Sequence, residues 1–365
     1  MFEQRKFIPG QILHNRLKIV ATLNVTNMSR IYIAEYVHLG GRLIVKQPNY
    51  ENDPKKDIIK SESLKTEADI LKKLDHPHIV KIIDYKTKPW DHLVLQFING
   101  NSLLELQTQS RLELIYVKEY ILELLETLEY LHKKGIIHRD ITPRNFLCGD
   151  NCTLIDFGIA QDTSIVHKSK SYKMGTSGYI CPEADGGIIT PLCDVYSAGA
   201  TLFFLLTGYK PTKSNKQIKL NDKRKRVLQI ALDAMKTKPL KRIRDVKEMK
   251  QLIIKAIPNE IGPYLFTNGV IYEIGDNPMT IGMRTYNDIC IDDPYNFLSP
   301  VHAEITKDVS GDVWIEDRSK NGTHIFDETY RYTRIKKRRL KDGDTIILCY
   351  SPNSGPYKRL KIRYV

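Results

Sequence analysis

The most constraining feature of this 365-residue chain is a pair of short polar motifs separated by apolar residues. The first motif occupies residues 138–145 and contains Asp140, and Asp156 begins the second motif eleven residues after Asn145. The apolar segments between them flank a turn at residues 149–151 and predict a short hairpin. Each strand of this hairpin adjoins a carboxylate, an arrangement that can hold a metal ion beside an acceptor for a proton.

The order H-R-D-x-x-x-x-N followed by D-F-G resembles the catalytic and metal-binding loops of protein kinases. The resemblance implies that Asp140 accepts the proton of the attacking hydroxyl, and that Asn145 and Asp156 bind Mg²⁺ or Mn²⁺. The residues that it assigns to structural support of these groups are His138, Arg139, Phe157 and Gly158.

A lysine and a glutamate upstream fit the same family. An apolar strand at residues 43–45 leads to Lys46, and residues 61–74 have the apolar periodicity of a helix that carries Glu67. The resemblance implies that Lys46 binds the α- and β-phosphates of ATP and pairs with Glu67, so both are assigned to catalysis. A glutamate on an amphipathic helix is otherwise most often solvent-exposed.

The turn expected to cover the nucleotide phosphates departs from the family. It lies between predicted strands at 17–23 and 31–37, and Asn24, Thr26 and Ser29 stand where kinases have glycine. Glycine is used there because the main chain must approach the phosphates closely. We therefore expect a stiffer loop with altered nucleotide affinity. The residues assigned to nucleotide binding are Asn24, Thr26, Val45, Lys46, Gln96, Ile98 and Leu147.

A second departure lies in the catalytic loop. Serine/threonine kinases usually have a lysine two residues after the catalytic aspartate, where this chain has Thr142. Arg144 is basic and could partly replace that lysine near the γ-phosphate. Because all the other charged groups of the motif are present, we expect a slower or more selective enzyme before an inactive one.

Residues 175–183 resemble the G-T-x-x-Y-x-A-P-E end of a kinase activation segment. The resemblance implies that Thr176 contacts Asp140. It also assigns Asp194 as a brace of the catalytic loop and Arg242 as the partner of Glu183. The candidate autophosphorylation sites are Thr163, Ser164, Ser169, Ser171 and Thr176.

Short strands separated by turns replace helices after residue 262, which indicates an all-β domain. Segments 280–289, 299–303 and 321–323 together resemble a forkhead-associated (FHA) domain, a β-sandwich whose loops bind phosphothreonine. The usual G-R is Gly282-Met283 here, with Arg284 one place later. A sandwich that makes protein contacts without recognising phosphate is the alternative. Phosphopeptide contacts are assigned to Arg284, Ser299 and Lys320, and loop support to His302 and Asn321.

Composition sets the remaining bounds. The net charge of +13 favours acidic or phosphorylated partners. Basic runs at 223–226 and 336–339 lack the interleaved aromatic residues of a nucleic-acid platform, so no nucleic-acid partner is expected. We also expect no membrane anchor, because the most apolar run is too short to span a bilayer. Six cysteines without a C-x-x-C pair favour reduced thiols in a cytoplasmic protein.

These features predict an α+β chain, with a bilobal protein-kinase fold at about 10–257 followed by an all-β FHA sandwich at 264–365. The small lobe would occupy about 10–97 and the large lobe about 102–257. The first hypothesis is an ATP-dependent serine/threonine kinase that binds protein substrates and phosphothreonine peptides. The missing glycines and Thr142 leave a pseudokinase scaffold open. A small-molecule phosphotransferase explains neither residues 175–183 nor the tail.

Overall fold

The computed structural model describes residues 6–38, 40–51, 53–149, 152–164, 175–211, 221–258, 262–293, 295–351 and 355–363. The first part is a twisted sheet with one helix inserted into it. Its elements are β1 (Ile12–Leu13), β2 (Leu17–Val25), β3 (Ser29–Tyr36), β4 (Arg42–Pro48), α1 (Pro54–Leu71), β5 (Ile82–Lys86) and β6 (His92–Gln96). The strand order is β1-β2-β3-β4-β6-β5, with antiparallel pairing throughout.

Helix α1 begins earlier than its apolar periodicity predicts. The side chain of Asp53 accepts hydrogen bonds from the backbone N–H groups of Lys55 and Lys56, and Pro54 occupies the first helical turn. Both are signals of a helix start. A capping carboxylate accepts hydrogen bonds from backbone N–H groups of the first turn, which have no partner within the helix. Proline has no backbone N–H, so it leaves no such group unpaired there. The helix therefore starts at Pro54 and ends at Leu71, whereas the sequence predicted residues 61–74.

The second part is mainly helical. Its helices are α2 (Leu103–Gln109), α3 (Leu114–Lys133), α4 (Pro191–Thr207), α5 (Asp222–Ala234) and α6 (Val246–Ala256). Its short strands are β7 (Asn101–Ser102), β8 (Ile136–Ile137), β9 (Phe146–Cys148), β10 (Cys152–Leu154) and β11 (Gln161–Asp162). Helices α3 and α4 lie at the centre of the core, and the hairpin β9–β10 presents the two polar motifs at its ends. Among the described residues, no helix is both long and apolar enough to cross a membrane.

The third part is a β-sandwich. Its strands are β12 (Tyr264–Thr267), β13 (Val270–Glu273), β14 (Met279–Gly282), β15 (Ile289–Cys290), β16 (Ala303–Lys307), β17 (Val313–Asp317), β18 (Thr323–Phe326), β19 (Tyr332–Ile335), β20 (Lys337–Arg339), β21 (Thr345–Ser351) and β22 (Gly355–Arg363). One sheet has the order β13-β12-β22-β21-β18-β19 and the other β15-β14-β16-β17-β20. A separate apolar core of isoleucine, leucine and valine side chains fills the space between them.

The sandwich packs directly against α3 through buried charged groups. Arg363 donates hydrogen bonds to Glu119 (2.8 Å) and Glu126 (3.1 Å), and Lys361 lies 2.7 Å from Glu126. The Tyr264 hydroxyl donates to Glu119 at 2.7 Å. Since burying ions is costly unless each has a partner, these contacts fix the sandwich at one position on the helical part.

The cysteines differ from the sequence expectation of reduced thiols. Cys148 and Cys152 are joined as a disulfide, and so are Cys181 and Cys193. The first pair is brought together by the register of the β9–β10 hairpin, in which the two residues are direct partners. Cys290 and Cys349 are free thiols.

Candidate active site

Three charged side chains from different elements meet between the sheet and the helical part. The Lys46 ammonium group, at the end of β4, lies 2.7 Å from Glu67 on α1 and 2.7 Å from Asp156. The Phe157 backbone N–H also donates to Glu67 (3.3 Å), and the Ser63 hydroxyl donates to the Gly158 carbonyl (2.9 Å). Helix α1 is therefore bonded both to the sheet and to the second polar motif.

The protonation of this cluster follows from burial and mutual attraction. Burial opposes the charge on Lys46, but the carboxylates of Asp156 and Glu67 outweigh it and raise the lysine pKa. The Lys46 charge holds the pKa of Asp156 below its usual value. For Glu67, burial is the larger effect and raises the pKa. The lysine is thus a fixed positive charge, as a contact for phosphate oxygens requires.

Asp140 is held by two neighbours in an orientation suited to accepting a proton. The Asn145 amide donates to the Asp140 carboxylate at 2.9 Å, and the Thr176 hydroxyl donates to its other oxygen at 2.8 Å. The Thr176 backbone N–H adds a bond of 3.0 Å. The structure therefore brings these three residues together, as the motif resemblance implied for Thr176.

Asn145 and Asp156 offer oxygen atoms of the kind that Mg²⁺ and Mn²⁺ bind. The Asn145 nitrogen is engaged with Asp140, which directs its amide oxygen elsewhere. Asp156 uses Oδ1 for Lys46 and Gly158, so Oδ2 lies outside those bonds, and its side chain is 44% exposed. One amide oxygen and one carboxylate fit a hard cation that retains water ligands. When bound, such an ion would neutralise phosphate charge.

Several buried contacts support the catalytic loop. Asp194 accepts hydrogen bonds from the backbone N–H groups of His138 (3.0 Å) and Arg139 (2.9 Å), the latter at a positive φ of 70°. His138 packs edge-on against Phe157, with ring centroids 4.7 Å apart. Another ion pair, Arg242 with Glu183 at 2.7 Å, ties the activation segment to the end of the helical part.

The turn between β2 and β3, to which the resemblance assigns phosphate binding, closes on itself. The Thr26 hydroxyl accepts hydrogen bonds from the backbone N–H groups of Met28 (3.2 Å) and Ser29 (3.0 Å). Asn49 adds a bond from its amide to the Thr26 carbonyl (2.7 Å), and Asn24 bonds the N–H of Val25 (2.8 Å). In a glycine-rich loop such N–H groups are available to phosphate oxygens, whereas here the side chains of Thr26 and Asn24 occupy three of them.

The remaining nucleotide assignments include one correction. Val45 is fully buried in the cluster on the far face of the sheet, with Phe7 and Tyr32, and not on the face of Lys46. Successive strand residues point to opposite faces, so Ile44 shares the Lys46 face and packs toward the main core. Ile44, which the sequence analysis missed, therefore replaces Val45 as the candidate.

The other nucleotide candidates lie at the junction of the two parts. The Gln96 N–H donates to the Lys81 carbonyl (2.9 Å), so a backbone contact with a nucleotide at Gln96 would use its carbonyl. Ile98 and Leu147 are half-buried on either side of this junction.

Thr142, which stands where serine/threonine kinases usually have lysine, and Arg144, the basic residue that follows two places later, differ in solvent exposure. Thr142 is 2% exposed, and its hydroxyl has no hydrogen-bond partner among the described residues. Arg144 is exposed.

Of the candidate autophosphorylation sites, Ser169 and Ser171 lie outside the described residues. The hydroxyls of Thr163 and Ser164 are bonded to Gly135 and Asp162 at the base of the segment.

The sandwich loops assigned to phosphopeptide binding lie together. The Ser299 hydroxyl accepts a hydrogen bond from the Lys320 N–H (3.1 Å), and the Ser299 N–H donates to His302 (3.2 Å). Asn321 donates to the carbonyl of Phe297 (2.7 Å) and thereby joins two loops. The side chains of Arg284 and Lys320 are exposed. Lys320 bonds Ser299 through its backbone N–H, and Arg284 follows Met283, whose N–H donates to the Ser299 carbonyl (3.3 Å).

Arg334 is a further basic residue at this site that the motifs did not reveal. It pairs with His324 across β18 and β19. Its guanidinium group lies over Gly322, with Nε 2.7 Å from where a β-carbon would stand. Cross-strand register alone places it there, so no local sequence pattern could have indicated it.

Comparison with known families agrees with this geometry. The protein kinase domain model matches residues 27–260, more than half of the chain. This chain belongs to the protein kinase family. The FHA domain model matches residues 279–349, so a kinase domain is followed by a C-terminal FHA domain. The predictions of the family and of the fold class, α+β kinase followed by a β-sandwich, are confirmed.

Several kinases are similar to about half of this chain. "Serine/threonine-protein kinase pkn2" of Myxococcus xanthus is 30% identical over 212 residues, which cover 55% of this chain and 25% of that protein. "Probable serine/threonine-protein kinase PknB" of Lactococcus lactis is 34% identical over 211 residues, 55% of this chain and 33% of the relative. "Serine/threonine-protein kinase chk-2" of Caenorhabditis elegans is 33% identical over 168 residues, 42% and 35% of the two chains. The chain thus spans about a third or less of these relatives.

Proposed function

We propose that this protein is an active serine/threonine kinase that transfers the γ-phosphate of ATP to protein hydroxyls with Mg²⁺ or Mn²⁺. The observation that carries the proposal is the assembled cluster of Lys46, Glu67 and Asp156 beside Asp140. A scaffold that had lost catalysis would have no need to keep this costly group of buried charges paired. The proposed domains are residues 10–257 and 264–365.

The residues divide the reaction between them. Lys46 would hold the α- and β-phosphates, and Asn145 and Asp156 would hold the metal ion. Asp140, fixed by Asn145 and Thr176, would orient the substrate hydroxyl and accept its proton. Serine and threonine are the proposed acceptors because Thr176 contacts Asp140 directly, and the named kinase relatives are of this type.

Labelled ATP and Mg²⁺ test the proposal in the purified full chain. We expect phosphate to be incorporated into the protein or an added substrate, and Asp140→Asn to reduce the rate roughly 10²–10⁴-fold, as loss of a general base does. Asp276→Asn is the matched control, because Asp276 is 92% exposed and pairs with Lys307 in the third part of the chain. Nucleotide binding without any transfer would instead support the pseudokinase scaffold, which the loop closed by Thr26 favours.

We further propose that the FHA domain binds phosphothreonine, in substrates or in the activation segment. The support is that the loops of Arg284 and Lys320 are both bonded to Ser299 through the backbone, and that Arg334 lies over Gly322 in the same loop as Lys320. Fluorescence anisotropy measures the affinity of the protein for a labelled phosphothreonine peptide and for the same peptide without phosphate. We expect tighter binding of the phosphorylated peptide and loss of that preference in Ser299→Ala. Equal affinities in the wild-type protein would exclude phosphate recognition.

A further inference from the structure

The segment that follows helix α1 is held from two sides by different domains. The Asp75 N–H donates to the Tyr130 hydroxyl of α3 (3.0 Å). On the other side, the Tyr350 hydroxyl of the FHA domain donates to the Asp75 carboxylate (3.3 Å). The end of α1 is therefore located by contacts to both the kinase core and the FHA domain.

His76 forms the centre of an aromatic cluster at the same place. Its side chain is 7% exposed, and its ring lies 4.8 Å from Tyr130 and 5.0 Å from Phe326, measured between centroids. Tyr330 of the FHA domain stacks edge-on against Tyr130 at 5.1 Å. Burial strongly lowers the pKa of His76, to about 3, so the ring is neutral and packs as an aromatic group. Aromatic packing of this kind has a defined geometry and adds to the energy of burial.

This segment is directly connected to a residue of the catalytic cluster. Helix α1 ends at Leu71, and the Lys72 N–H still donates to Ala68, one residue after Glu67. A displacement of Asp75 and His76 would move the last turn of α1, and with it the Glu67 carboxylate that lies 2.7 Å from Lys46. A contact made by the FHA domain can thus reach the catalytic lysine through one helical turn.

The FHA domain is rigidly seated, as such an effect requires. The ion pairs of Arg363 and Lys361 with Glu119 and Glu126 on α3 are nearly excluded from solvent. Each cation lies on β22, which pairs with β21, the strand that carries Tyr350. The position of Tyr350 is therefore fixed relative to α3 by the sheet.

We propose that the FHA domain is a positioning brace for helix α1, and that Phe326 and Tyr350 set the position of Glu67 relative to Lys46. Neither residue is among those assigned to nucleotide or substrate binding. They are positioning residues that act through Asp75 and His76. The inference rests on the proposed kinase function only where activity is used as a measurement.

The test uses the full chain with the double substitution Phe326→Leu and Tyr350→Phe, which removes one ring and one hydroxyl and leaves an apolar side chain at both positions. The matched control is Ile315→Val with Tyr286→Phe. Ile315 is fully buried in the FHA core, and Tyr286 is 68% exposed on a loop. The control therefore weakens the same domain by similar chemistry without altering the α1 contact.

Amide hydrogen exchange over residues 62–74 is the first measurement, since it needs no catalysis. We expect exchange in the double variant to be roughly 2- to 30-fold faster than in the control, the range of coupling between packed elements. The KM for ATP should rise by a similar factor with a smaller change in kcat. Circular dichroism of both proteins verifies that they are folded.

Exchange over residues 62–74 that is equal in the folded double variant and the control would overturn the proposal. A wild-type protein that transfers no phosphate would count against the proposed kinase function alone, because the exchange comparison still decides the brace. Faster exchange confined to the FHA domain, with an unchanged KM for ATP, would also refute it.

Discussion

Replacing Arg363 with methionine should lower the free energy of unfolding by about 3–5 kcal/mol, the usual cost of removing one partner from a buried ion pair. The guanidinium group is 4% exposed and bonds two carboxylates on α3, Glu119 and Glu126. Methionine fills much of the same volume, so the loss would come from charge and not from a cavity.

The structure indicates how this cost divides between the two carboxylates. Glu119 is fully buried and, among the described residues, would keep the hydrogen bond from the Tyr264 hydroxyl, whereas Glu126 is 17% exposed and would retain Lys361 at 2.7 Å. Burial opposes ionisation of Glu126, but Lys361 and Arg363 outweigh it and lower its pKa. Most of the loss should therefore arise at Glu119, and Glu119→Gln should recover part of it in the Arg363→Met background.

The two tryptophans of the chain provide a separate signal from each domain. Trp90 packs in the small lobe and Trp314 lies on β17 of the FHA domain. Urea titration of the Trp90→Phe protein thus reports the FHA domain, and titration of the Trp314→Phe protein reports the kinase domain. We expect coincident transitions in both. Arg363→Met should separate the two transitions and lower the urea midpoint of the FHA domain by about 1–2 M. This assumes that the free energy of unfolding falls by about 3 kcal/mol per molar urea.

Arg339→Met is the control, because Arg339 is 59% exposed and its pair with Asp312 is solvated. Such a pair contributes about 1 kcal/mol or less. If Arg363→Met costs no more than Arg339→Met, or if both tryptophan signals still shift together, the interface is not held by buried charge and the reasoning is wrong.

Three further predictions concern the nucleotide site and the same interface. Thr26→Gly should lower the KM for ATP several-fold because it releases two backbone N–H groups toward the phosphates; Thr26→Ser should not, and an unchanged KM in Thr26→Gly would contradict this. Reversing the charges of Lys46 and Glu67 singly and together should give losses of nucleotide affinity that differ from additivity by about 0.5–3 kcal/mol; strict additivity in a calorimetric titration would argue against the pair. Glu123 is neutral in the folded protein over a wide range, because burial raises its pKa from 4.5 to about 8 against the opposing effect of Lys361 and Arg363. The folded state thus binds a proton that the unfolded state releases, and stability should fall as pH rises from about 4.5 to 8. Glu123→Gln should remove this decline, and parallel urea midpoints for the two proteins at pH 5, 6.5 and 8 would refute it.

The sequence predicted best where chemistry fixes the spacing of neighbouring residues. Asp140 and Asn145 lie within one loop, so their separation along the chain nearly determines their contact. Val45 shows the limit of that logic, since one residue of register decides which face of a strand it occupies. The disulfide between Cys181 and Cys193 and the position of Arg334 over Gly322 depend on the path of the turn or hairpin between the residues, and no local pattern records that path.

The sequence did not reveal the interface between α3 and the FHA domain, and the reason is different. Glu119, Glu123 and Glu126 recur on α3 at helical spacing, which is the pattern of an ordinary solvated face. The arrival of β22, together with Tyr264 of β12, makes that face an interior one. Charge periodicity reports that a helix has a polar side, and it does not report whether water or another domain covers that side.

The position of β22 in the chain has a consequence for synthesis. Helix α3 ends at Lys133, but the cations that pair with its carboxylates are on the last strand, Gly355–Arg363. At roughly 5–20 residues per second, a ribosome needs on the order of ten seconds or more to make the intervening chain. During that time the nascent kinase domain carries an acidic face without its partners. The kinase domain therefore reaches the form seen in the structure only when β22 of the FHA domain has been made, so a chain truncated before β22 should give a poorly stable kinase domain.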